Sequence, residues 1–167
     1  MVLKSFWHAI QASALGDYVA SSTVAFPLLE SIHVIAIVTV FGTVAIMDLR
    51  LLGLASRNVA VTSLSRDTLR ITWGAFVIAA FTGTLLFISK ATSYTVNPYF
   101  QWKMILILLA GVNMALFHVV TSRGPLSVGA GKDAGRAGMI AGGLSLIVWI
   151  LVIFCGRVIG FTLGVYT

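Results

Sequence analysis

The sequence predicts an all-α integral membrane protein, a four-helix transmembrane bundle with an amphipathic helix lying at the interface before it. Three observations carry this reading. Of 167 residues, 59% are apolar and only 10% are charged, whereas a water-soluble domain carries about 25% charged residues to wet its surface. Mean hydropathy is +1.02. Four apolar stretches reach the roughly 20 residues that a helix needs to cross the hydrocarbon core. A soluble enzyme is therefore excluded. So is a nucleic-acid module: 11 Lys and Arg against 5 Asp and Glu give a net charge of +6, but the cations fall in short segments between apolar runs, not on one face. The single cysteine, Cys155, lies inside an apolar run. It leaves no intrachain disulfide and no cysteine-based metal site.

The elements follow in order. In residues 1–26, Trp7, Ile10, Ala14, Leu15 and Tyr18 recur at helical spacing, with Ser13, Gly16 and Asp17 turned away. This predicts an interfacial amphipathic helix, in which Gln11 is a misfit on the apolar face. No basic n-region precedes an unbroken apolar core, so no cleavable signal peptide is expected. The transmembrane domain, 27–167, holds spans at about 27–54, 71–90, 101–121 and 137–161. Segments 55–70, 91–100 and 122–136, rich in Ser, Thr, Asn, Gly or charge, read as loops. The spans are helices because backbone polar groups in lipid must be satisfied within the segment, and runs such as 104–110 lack the alternation of a barrel strand. Arg50, Arg57, Arg66, Arg70, Arg123, Lys132 and Arg136 flank the first and third loops, against Lys4, Lys90, Lys103 and Arg157 on the other side. That bias places the first and third loops inside and both termini outside.

Small residues recur every four positions at Ala75, Ala79 and Gly83, at Gly111 and Ala115, at Ala134, Gly138 and Gly142, and at Gly156, Gly160 and Gly164. Such faces let helices approach closely, since lipid supplies no hydrophobic drive and packing must do the work. The same lack of bulk leaves room for a flat cofactor.

Ionisable residues within spans are costly and mark candidate sites. They are Glu30, His33, Asp48, Arg50, Lys90, Lys103, His118 and Arg157. There is no catalytic-triad order, no phosphate-binding glycine loop and no HExxH, so hydrolase and nucleotide chemistries have no support. His33 lies early in the first span with Glu30 on the same face. His118 lies late in the third, with Gly111 and Ala115 on its face. A histidine beside a glycine gap is how a membrane helix offers an axial ligand to haem iron. A lone intramembrane histidine serves packing or proton handling as often.

Depth constrains the haem reading. The first and third spans run in the same direction, yet His33 is ~9 Å into its helix and His118 ~25 Å into its own. The two belong to opposite leaflets and do not share one iron. Three arrangements of haem b stay open: two haems, each with one histidine; one haem on one histidine; or equivalent histidines paired across a homodimer axis. His8, Met104 and Lys103 are candidate second ligands in the outer layer, and Met139 and Met47 in the inner. Lys103 and Arg157, with Glu30, are candidates to surround the haem, the cations pairing with its propionates; Gly111 and Ala115 would make room for the ring. Arg157, inside an apolar run, is expected to have an internal anionic partner. Asp48 and Arg50 point to different sides and read as a structural clamp first and a site second, with Arg66 or Arg70 as a partner for Asp48.

The residues Phe26-Pro27-Leu28-Leu29-Glu30-Ser31-Ile32-His33, then Gly42 and Asp48-Leu49-Arg50-Leu51-Leu52-Gly53, resemble the first-helix signature of a bacterial family of small four-helix inner-membrane proteins of unassigned function. The likeness continues through Lys103, Ala110-Gly111-Val112-Asn113, His118, Leu144-Ser145-Leu146-Ile147-Val148-Trp149 and Gly156-Arg157. In layout the chain is also similar to copper-resistance D-type membrane proteins and to four-helix b-type cytochromes. That likeness implies haem, electron transfer with a quinone or other membrane partner, and a periplasmic redox protein as the second partner. One departure stands out: a two-haem cytochrome of this kind has four ligating histidines, and this chain has three in total. The expectation is an electron-transfer protein; the alternatives are a small proton, metal-ion or solute transporter subunit, or a non-catalytic helper subunit.

Overall fold

Each apolar stretch is too long and too uniformly greasy to end before it has crossed ~30 Å, and each becomes one long helix. A computed structural model describes residues 2–55, 58, 61–123 and 135–166, and those residues contain seven helices and no strand. They are α1 (Val2–Gln11), α2 (Ala14–Ser21), α3 (Ala25–Leu51), α4 (Val61–Ser89), α5 (Ala91–Val96), α6 (Pro98–Arg123) and α7 (Gly135–Thr162). The membrane-crossing portions are Ala25–Leu51, Thr68–Ser89, Pro98–Phe117 and Gly135–Thr162. The protein is an all-α, multi-pass membrane bundle. Its outer faces carry Ile35, Leu108, Ile140 and Ile147 more than half exposed, an apolar surface that only lipid can cover.

Several boundaries differ from the sequence expectation. The helix of the second span starts at Val61, not near 71, because 61–70 contains no Gly or Pro to stop a helix from running past the apolar segment. Segment 91–100 is not a loop. It holds α5 and then the start of α6, where the Oδ1 of Asn97 accepts from the backbone N–H of Tyr99 (2.9 Å) and Phe100 (3.4 Å). Asn97 is thus the N-cap and Pro98 the first helical residue, where a missing N–H costs nothing. The N-terminal helix breaks in two, since the Ser13 hydroxyl accepts from Gly16 N–H and caps α2. A Cβ at position 16 would collide with the Gln11 carbonyl. The helix α3 ends at Leu51, short of 54, in a Schellman turn: Leu54 N–H reaches Leu49 O and Gly53 N–H reaches Arg50 O, with Gly53 at φ 72°.

The four spans form a ring. The pairs α3–α4 and α6–α7 pack along their lengths, and α3 joins α7. Between α4 and α6 the backbones stand further apart and side chains bridge them, with Phe87 stacked on Phe100 at 5.4 Å between ring centroids. The core is Val40, Ala75, Ala110, Val148, Trp149 and Val152, one from each of the first three spans and three from the fourth, with Phe41, Val44, Phe76, Leu106 and Ile107 around them. Ala75, Ala79, Gly138 and Gly142 are buried as packing faces. Gly160 and Gly164 have open space where a side chain would be, and Ala134 lies outside the described residues.

The helix α1 rests against α5 and the Ser89 end of α4. Trp7 packs edge-on against Phe87, ring centroids 5.6 Å apart. The Gln11 Oε1 accepts from Thr92 Oγ1 (2.6 Å) and Thr92 N–H (3.1 Å). The misfit on the apolar face is therefore the residue that ties α1 to α5.

Candidate functional sites

One candidate site is organised around His33 on α3. Its Nδ1 lies 3.0 Å from the Ala79 carbonyl oxygen and 3.1 Å from Thr82 Oγ1 on α4. A carbonyl only accepts, and the Thr82 hydroxyl already donates to the Ile78 carbonyl at 2.8 Å. Both partners therefore assign the hydrogen to Nδ1, and in the neutral ring Nε2 keeps its lone pair. Gly83 makes the approach possible: a Cβ there would stand 2.9 Å from His33 Cε1. Lys103 on α6 lays its Nζ over Gly156, 3.7 Å from where a Cβ would be, and is close enough to His33 for their charges to interact. Lys103 also interacts with Cys155. The structure thus brings His33, Lys103, Cys155 and Gly156 from three spans into one layer.

The other expected residues are dispersed. Glu30 is exposed, and its charge is felt by Tyr94 in α5, whose phenol is pushed up to about 12, first by burial and second by that carboxylate. Lys90 Nζ sits 4.8 Å from the Phe26 ring centroid. Arg157 is exposed, its guanidinium 4.5 Å from the Phe161 ring centroid. The expected internal anionic partner is replaced by an aromatic face, which an arginine covers readily while it reaches the interface. Met104 and Met139 are 51% and 44% exposed, and His8 is exposed on α1; none is brought to His33. The backbone of His118 lies fifteen residues beyond Lys103 on α6, ~22 Å further along the axis. The side chain of His118 lies outside the described residues, as do Arg57, Lys132 and the side chains of Arg66 and Arg123. Ala115 is exposed.

The opposite end of the bundle holds a second candidate site, around Asp48, which the sequence reading took first as a structural clamp. Asp48 is 4% exposed, and its Oδ2 has no hydrogen-bond partner. The carboxyl is hydrogen-bonded by Ser145 of α7, not by Arg70, which is exposed. The two helices meet here because of Gly142, where a Cβ would lie 3.0 Å from both the Asp48 carbonyl oxygen and Leu51 Cβ. Beside Asp48 a cavity of about 180 Å³ opens between α3, α4, α6 and α7, with Gly111 and Met47 in its wall. Several of its other polar groups already make hydrogen bonds. Thr72 Oγ1 donates to Thr43 Oγ1 at 2.7 Å, the Thr68 hydroxyl donates to Leu64 O, and Asn113 Nδ2 donates to Ala141 O. The sequence signal for this site is the Gly142–Ser145 spacing, one helical turn that turns a gap and a hydroxyl to the same neighbour.

No protein-family model, curated protein or solved structure matches the chain.

Proposed function

We propose that the protein is a haem b-binding membrane protein that passes electrons between a quinone or other membrane partner and a redox protein on the outer face. One observation carries the reading: the Nδ1–H of His33 is held by the Ala79 carbonyl, which fixes the tautomer and aims the ligating lone pair of Nε2 away from that bond. A histidine whose other nitrogen donates to a carbonyl is the usual metal-ligating arrangement, because the second bond orients the ring and raises its basicity. His33 would hold the iron, and Lys103 would neutralise a propionate in a low-dielectric layer. Haem, when bound, supplies the one-electron couple. This chain's own residues orient the imidazole, keep water from it and balance charge.

Second ligands are not gathered at His33 within one chain, which favours one haem on one histidine per layer, or a homodimer that pairs equivalent histidines. The likeness in motif and layout to bacterial four-helix inner-membrane proteins supports an inner-membrane location, and the excess of Lys and Arg around the first and third loops supports both termini outside. Protein purified after expression with ample haem should show a Soret band, and His33→Ala should remove the outer-layer contribution while expression stays near wild type. A helical protein with no Soret band sinks the proposal.

A second reading, a small transporter subunit for protons, a metal ion or an anionic solute, draws on Asp48 and Arg50, both fully or almost fully buried at the inner end of α3. Proteoliposome flux abolished by Asp48→Asn and untouched by loss of haem would favour it.

A further inference from the structure

The cavity beside Asp48 is built from all four spans and reaches lipid beside Trp73. Val40 and Met47 of α3, Phe76 of α4, Met114 of α6 and Trp149 of α7 give it apolar walls. Trp73 of α4, 52% exposed, and exposed Gly111 of α6 belong at once to the wall and to the surface of the bundle. Both stand within membrane-crossing portions, so the medium against them is hydrocarbon. The Phe87–Phe100 stack that bridges α4 and α6 lies at the other end of these helices. It is fourteen residues, ~21 Å, along α4 from Trp73 and eleven residues, ~16 Å, along α6 from Gly111. The stack closes that end and leaves this one.

The walls decide what can fill the space. Among the described residues Asp48 is their one ionisable member; its Oδ2 is closed off inside the protein, and Ser145 bonds the carboxyl. A charged solute therefore finds no partner. Thr43, Thr68 and Thr72 give their hydroxyl hydrogens to carbonyls of their own helices or to one another, and Asn113 Nδ2 reaches Ala141 O. Each water needs two to four polar partners, which walls of methyl, thioether and ring groups do not supply along their length. An apolar occupant needs none. The volume, about 180 Å³, exceeds the ~150 Å³ that takes up a benzene ring and so has room for about six or seven carbons. Hydrocarbon chains surround the opening as solvent, and mass action lets even a weak binder fill it.

We propose that this cavity holds a segment of a lipid acyl chain, inserted between Trp73 and Gly111. The lipid is then a packing element of the bundle, touching residues of all four spans. The site goes beyond the electron-transfer reading and needs no haem.

The test uses the full chain in phosphatidylcholine nanodiscs, deuterated except for isotope-labelled methionine methyls, and reads cross-relaxation from each methyl to acyl-chain and to water protons. Met104, 51% exposed on the bundle surface, is the control that meets lipid in every variant. Met47 and Met114, in the cavity wall, should show chain cross-peaks comparable to those of Met104 and no water cross-peaks. Gly111→Leu, where a Cβ meets nothing within 4 Å, and Ala141→Leu each add bulk to the wall. At least one of them should weaken the Met47 and Met114 chain cross-peaks by about twofold or more as bulk displaces the chain, with Met104 unchanged. Water cross-peaks at Met47 and Met114, or no chain cross-peaks there, overturn the proposal. So do chain cross-peaks that keep their strength in both filled variants.

Discussion

The His33 imidazole lies flush against Gly83, with Cε1 2.9 Å from where the first side-chain atom of any other residue at 83 would stand. That contact lets Nδ1 reach the Ala79 carbonyl one helical turn earlier. Gly83→Ala is expected to push the ring off its carbonyl and to cost about 1–3 kcal/mol, the usual range for overpacking. Reversible unfolding in mixed micelles measures it. Gly160→Ala, with open space around it, should cost nothing by the same assay.

The crossing of α3 and α7 at Gly142 is a second tight point. Backbone lies on one side, the Asp48 carbonyl oxygen at 3.0 Å, and backbone yields less than a flexible side chain. Gly142→Ala should destabilise by about 1–3 kcal/mol and open the cavity wall. Tryptophan emission of the folded variant should shift to the red through Trp149, and an unshifted spectrum with unchanged stability would show that the helices can part without cost.

Asn97 is fully buried and makes three bonds, two as the cap of α6 and one from Nδ2 to Thr162 Oγ1 at 3.0 Å. Asn97→Ala should lose about 1–3 kcal/mol, a cap plus a buried hydrogen bond. Thr162→Val removes only the second component and should cost less. Equal losses in the two variants would contradict the capping role.

Gln11 should control how α1 sits on α5. Gln11→Ala removes both acceptor contacts with Thr92, at about 0.5–1.5 kcal/mol each. Amide exchange over 2–11 should quicken while the spans keep their protection. Uniform exchange before and after would mean that Trp7 against Phe87 holds the helix unaided.

Tyr94 gives a pH signature. In the unfolded chain its phenol ionises near the ordinary 10.0, while in the folded chain burial and Glu30 hold it neutral up to about 12. The folded state therefore binds more protons across that window, and stability falls as pH rises through it. Tyr94→Phe should remove this part of the alkaline loss. Coincident stability–pH curves for wild type and variant would rule it out.

Much of this architecture was legible because lipid is a blunt selector. Long runs without charge have one way to satisfy their backbone, so four spans could be counted from residues such as those of 104–110. Their ends were less legible. Val61 begins a helix because nothing local stops it, and Asn97 ends a supposed loop through a cap whose meaning depends on Pro98. At the sites, His33 and Lys103 were visible as intramembrane polar groups, and the structure sets them in one layer. Arg157 was misjudged because an apolar flank does not reveal whether a long side chain turns inward or climbs toward water. The Gly142–Ser145 spacing marks a gap and a hydroxyl on one face of α7, but that Asp48 is the partner depends on which helix faces which across a crossing that Gly142 permits.

The backbone contacts divide the molecule more deeply than its chain order suggests. Each of α3–α4 and α6–α7 is a self-packed hairpin, and among the described residues the seam between α3 and α7 is the one place where the backbones of the two hairpins come close. The cohesion of the two halves therefore rests on a single narrow crossing, and bulk added at Gly142 acts on both hairpins at once.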